Sequence, residues 1–165
     1  MFGKPFLQQW ARCAALTVLL TCTVTFTFPL SPAHAGSRVR CRPVGGLLLD
    51  EHIEDHVAVA RMTGGITGSY TYTLRDSFSA DKVRTNLVYI TGTSVVETDG
   101  GTLSFFETST QDTAEPGNLN GTVLMTIIGG TGKWKGATGH IVLVGFFRQD
   151  TLTGAWSYVG KVCVP

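Results

Sequence analysis

The sequence predicts an all-β domain, built as an antiparallel sandwich or a closed barrel. Three observations carry this. Beyond residue 36 there is almost no helical periodicity in the apolar residues. Runs of β-branched and aromatic residues recur at intervals of ten to fifteen positions, separated by Gly, Asp and Asn. No stretch between them has the length or pattern of a crossover helix, so neighbouring strands are expected to run antiparallel.

The first 35 residues are set apart from that pattern. Lys4 and Arg12 give a positive start, Cys13 to Leu30 is apolar and hydroxylic, and Ser31-Pro32-Ala33-His34-Ala35 offers a small-residue A-x-A site before Gly36. These are the three parts of a secretory signal peptide, cleaved near Ala35. A membrane anchor is the competing reading. Pro29, Pro32 and the lack of a basic cluster directly after the run argue against it, as against stable membrane insertion after cleavage. A lipoprotein site at Cys22 is disfavoured because the apolar run continues past it.

Removing Lys4 and Arg12 from the 13 basic residues leaves 11 against 12 acidic ones, a net charge of −1. A near-neutral chain without a basic stripe provides no electrostatic footprint for nucleic acid. The mature segment, 36–165, is expected to form one domain that is secreted or periplasmic. In an oxidising compartment its two cysteines, Cys41 and Cys163, are expected to pair, against the alternatives of free thiols or a metal pair.

Strands are expected at about His56–Met62, Ser69–Ser77, Asn86–Thr93, Thr102–Thr108, Thr122–Ile128, His140–Phe147 and Ala155–Val164. In the second, Tyr70, Tyr72 and Leu74 fall on one face. The fifth, Thr122-Val123-Leu124-Met125-Thr126-Ile127-Ile128, is nearly all apolar and reads as buried on both sides. Asp99-Gly100-Gly101 suits a tight hairpin, Asp112 to Asn120 a longer loop with Pro116 and Gly117, and Asp150 to Gly154 the last connection.

Ile128-Gly129-Gly130-Thr131-Gly132-Lys133-Trp134-Lys135-Gly136-Ala137-Thr138-Gly139-His140 packs glycines between two strands. Gly130, Gly132 and Gly136 are one residue too widely spaced for a dinucleotide fingerprint, and no βαβ unit surrounds them. Gly132-Lys133 is followed by Trp134, which breaks the phosphate-loop pattern. The mechanical reading is a tight corner, with Trp134 plugging a barrel end or covering its core.

This motif, together with Thr98-Asp99-Gly100-Gly101-Thr102-Leu103 and the closing strand Trp156-Ser157-Tyr158-Val159-Gly160-Lys161-Val162-Cys163, resembles the allene oxide cyclase and dirigent-like β-barrel superfamily, closest to its small secreted bacterial members. The likeness spans about Thr98 to Val164. It implies an eight-stranded antiparallel barrel whose cavity takes a hydrophobic small molecule, without a cofactor. It further implies a cyclisation, isomerisation or coupling guided by the pocket. A non-catalytic carrier and a barrel filled by its own side chains stay open beside it, as does a homo-oligomer. Polar groups opposite an open mouth would favour the enzyme, a dry apolar cavity the carrier.

The candidate residues follow. Glu107 shares a strand face with Leu103 and Phe105 and could shuttle a proton if it points inward, or be solvated at a strand end. Tyr72, Tyr89, Arg84 and Trp134 are candidates for the pocket, against ordinary packing. His52, Glu54 and His56 would share a face of a strand, as a two-histidine, one-carboxylate metal site does, but the segment reads as solvated and no metal is expected. His140 reads as structural. Asn120-Gly121-Thr122 is a glycosylation sequon, of consequence only in a eukaryotic secretory pathway.

Overall fold

The computed structural model describes residues 38–79 and 86–165. They form a closed barrel of eight strands, each hydrogen-bonded to the next in sequence and the last to the first. The strands are β1 (Arg40–Glu54), β2 (Val57–Gly64), β3 (Gly68–Ser79), β4 (Leu87–Thr98), β5 (Gly101–Asp112), β6 (Asn118–Gly130), β7 (Thr138–Arg148) and β8 (Thr153–Val164). All pairings are antiparallel. No helix among the described residues is long and apolar enough to cross a membrane. Residues 1–35, expected from the sequence to be a signal peptide, lie outside the described residues.

Seven strands are those the sequence predicts, with shifted ends. The eighth is β1. It is hidden in the sequence because Pro43, Gly45 and Gly46 interrupt it and Leu47-Leu48-Leu49 does not alternate. Tertiary pairing on both edges holds it: Arg40 to Leu49 run beside β8, and Gly46 to Glu54 beside β2. The expected strand start at His56 is also displaced. Asp55 and His56 are the two central residues of the β1–β2 turn, both at positive φ (43° and 69°), the geometry of a two-residue hairpin loop.

Closure gives every strand one face inside and one outside. Tyr70 on β3, Ser94 and Val96 on β4, and Leu103, Phe105 and Glu107 on β5 are buried inward. β6 corrects the reading of a strand buried on both sides. Val123, Met125 and Ile127 are buried, whereas Leu124 and Ile128 are 42% and 60% exposed on the outer face.

The meander places alternate connections at opposite ends. At one end, the β6–β7 connection contains a single 3-10 turn, Gly132–Trp134, and Trp134 is only 3% exposed. Its indole Nε1 donates to Thr98 Oγ1 at 2.9 Å, and Arg42 and Lys133 lie 5.2 and 5.0 Å from its ring. Gly132, at φ 56°, explains the glycine demand. A Cβ there would sit 2.1 Å from the Gly100 carbonyl oxygen in the β4–β5 hairpin. Lys133 N–H donates to that same oxygen at 2.8 Å, so the two connections interlock. Tyr158 ties in the β2–β3 turn: its hydroxyl accepts from Ile66 N–H at 2.9 Å and lies 2.9 and 3.0 Å from the carbonyls of Thr63 and Ile66. The disulfide Cys41–Cys163 joins β1 to β8 at this end, across 122 positions of sequence.

Candidate functional site

The other half of the barrel is not filled. A cavity of about 320 Å³ lies between the inward faces of the strands. That is at the low end of the range of small-molecule sites, roughly 300–1000 Å³. Its apolar wall comes from every part of the circumference, including Leu48, Ile53, Leu74, Ile90, Leu143 and Phe147. The polar groups among its lining are Asp50, His56, Tyr70, Tyr72, Glu107, Ser109, Gln111 and the Trp156 indole.

Glu107 is central to that set and only 3% exposed. The alternation Leu103, Phe105, Glu107 carries it inward, while Phe106 between them is exposed on the outer face. Three neighbouring strands meet at its carboxylate. Tyr70 on β3 donates its hydroxyl, 2.9 and 3.0 Å from the two oxygens, and Ser94 on β4 donates to Oε1. Burial pushes the Glu107 carboxyl up to about 7, more than these two donors pull it down, and the nearby Asp50 adds to the rise. Such a group exchanges its proton at neutral pH. Burial and the Glu107 charge together push the Tyr70 phenol well above its ordinary range, so it stays a donor.

Asp50 is the second interior acid. It stands at a register shift in β1, between Asp50 and His52, and accepts from Trp156 Nε1 at 3.0 Å. Burial raises its carboxyl, against the opposing pull of the Trp156 hydrogen bond. Gly154 makes room for it: a Cβ at that position would meet Asp50 Oδ2 at 2.2 Å. Tyr72 is placed by a second such gap. A side chain on Gly92 would strike the Tyr72 ring and hydroxyl at 2.3–2.4 Å. Burial and then the Glu107 charge raise the Tyr72 phenol, and its hydroxyl makes no hydrogen bond among the described residues.

The predicted residues divide as follows. Glu107 and Tyr72 share the cavity. Tyr89 does not: it stacks on Phe78 on the outer face, ring centroids 5.3 Å apart, because Ile90 takes the inward position on β4. Trp134 is not in the cavity lining either; it closes the opposite end. Arg84 lies outside the described residues. The two histidines and the glutamate do not share a strand face. His52 and Glu54 are exposed, 3.2 Å apart, and His56 is in the turn, where it borders the cavity. His140 and Asn120 are exposed on β7 and β6.

Sequence reasoning missed Tyr70, Ser94, Asp50 and Trp156. Tyr70 was within reach, since it shares the alternating face of Tyr72. Ser94 and Asp50 carry no local signal, because only strand pairing brings them to the same space. Neither family models, nor curated proteins, nor solved structures match this chain.

Proposed function

We propose that the barrel binds an apolar small molecule and that Glu107 moves a proton on it, in an isomerisation that needs no cofactor. The observation that carries this is a carboxyl group buried beside a mostly apolar cavity and poised near neutral pH. A carboxylate in a dry site is a stronger base than in water and is well matched to proton transfer at neutral pH. In the simplest step, ionised Glu107 takes a proton from a carbon acid and the C–H electron pair passes into the ligand. The carboxylic acid then returns the proton to another atom of the ligand. No oxidant or reductant enters. We also propose kinship with the allene oxide cyclase and dirigent-like barrels, on the strength of the glycine motif, and export of the chain. The signal-like N-terminus and the disulfide support export.

Native mass spectrometry of the protein purified from its own host tests the binding; a co-purifying small molecule is the expected result. Its repeated absence, with no thermal stabilisation by apolar compounds, overturns the reading. Incubation with decan-2-one in D2O tests the chemistry. The wild type should place deuterium beside the carbonyl, and Glu107→Gln should slow this by about 100-fold or more. Binding without exchange in the wild type would make the barrel a carrier.

A further inference from the structure

The charges facing the cavity are of one sign. Asp50 and Glu107 both face it, Tyr70 and Tyr72 add phenols, His56 borders the mouth, and no Lys or Arg lines it among the described residues. An anionic ligand would bring a third negative charge into a poorly solvated space with no countercharge. A cationic ligand would be drawn by the same charges, but the carboxylate oxygens it would meet already accept from Tyr70 and Ser94 on Glu107 and from Trp156 on Asp50, which leaves it fewer places to pair. Beside Ser109 and Gln111, whose side chains also make no hydrogen bond among the described residues, one phenol is left to meet a ligand. The Tyr72 hydroxyl, held over Gly92 and close to Glu107, has no hydrogen-bond acceptor among the described residues.

We propose that the ligand is an uncharged lipophilic carbonyl compound, that the Tyr72 hydroxyl donates to its carbonyl oxygen, and that the two acids exclude carboxylates of the same skeleton. This rests on the binding reading above and names its ligand class. Tyr72 would then orient the ligand with the carbon next to the carbonyl toward Glu107, where the C–H bond is most acidic.

Calorimetric titration of the purified protein at pH 8 with decan-2-one, decanoate and decylamine tests the proposal. Decan-2-one should bind at least tenfold more tightly than decanoate. Tyr72→Phe should weaken decan-2-one by about 3- to 10-fold, the span of one hydrogen bond, and leave decane unchanged. Glu107→Gln should narrow the gap between ketone and carboxylate, which gives a second variant should Tyr72→Phe fold poorly. Tighter binding of decanoate or decylamine than of the ketone overturns this inference and leaves the binding reading standing, as does an unchanged ketone affinity in folded Tyr72→Phe. Failure of all four compounds to bind overturns both.

Discussion

The two ends of the barrel are built from the same strands and do opposite things. At the end carrying Trp134, backbone meets backbone. Gly132 lets two connections touch, Tyr158 ties down a third, and the disulfide staples the seam between the first and last strands. At the other end the inward faces stand apart and hold two acids, two phenols and an indole around a space. The glycines show the difference most sharply. Gly132 is small so that the chain can pack against itself, whereas Gly92 and Gly154 are small so that Tyr72 and Asp50 can occupy set positions in the interior. One end is built around contact, the other around a gap, and close packing and cavity are thereby separated along one axis.

That separation is open to attack from either end. The largest effect should come from Trp134→Ala, which empties a buried site at the closed end and should cost about 3–5 kcal/mol in denaturant unfolding. Ligand affinity of the protein still folded should hold. A variant that lost ligand binding while keeping its stability would show the two ends to be coupled.

Cys41→Ala with Cys163→Ala should cost about 2–5 kcal/mol, again without a change in the cavity. Intact mass with and without reductant should differ by two hydrogens; identical masses would remove the bridge from the argument.

The open end should instead report through pH. The Glu107 carboxyl sits at about 7 in the fold, against an ordinary value of 4.5, so the folded state holds the proton more tightly than the unfolded chain. Its contribution is therefore full below about pH 4.5 and is lost as pH rises through 7, by on the order of 3 kcal/mol. Asp50, also raised, adds in the same direction. Urea midpoints across this range should fall with pH in the wild type, and Glu107→Gln should flatten the profile to the residual slope of Asp50. A wild-type profile already flat would mean that Glu107 is solvated.

The smallest effect should be Gly92→Ala. Its added methyl must displace the Tyr72 ring, at a cost of about 1–3 kcal/mol by overpacking. Ketone affinity should fall with it, and a change in stability alone would separate Tyr72 from the site.

The closed end was also the more legible in the sequence. The hairpin at Asp99-Gly100, the glycine-rich corner and the plug at Trp134 are local features: each follows from what a residue can do with its own φ, ψ and side chain. The cavity was not legible in that way. Glu107 is one candidate among several, Tyr89 and Trp134 are candidates that lie away from this cavity, and nothing local marks Asp50 as a cavity residue.

By itself, the sequence determined an all-β chain, the turns that make it antiparallel, seven of its strands and the two cysteines available for a seam. Period-two alternation separates residues into two faces without saying which is inside, and a slip of one residue would exchange them. Only closure decided that. By pairing β1 with β8 it supplied the eighth strand, turned Glu107 inward and Tyr89 outward, and brought Tyr70, Ser94 and Asp50 around a single space. Burial at that depth, rather than any local motif, is what gives the Glu107 carboxyl a proton to exchange at neutral pH.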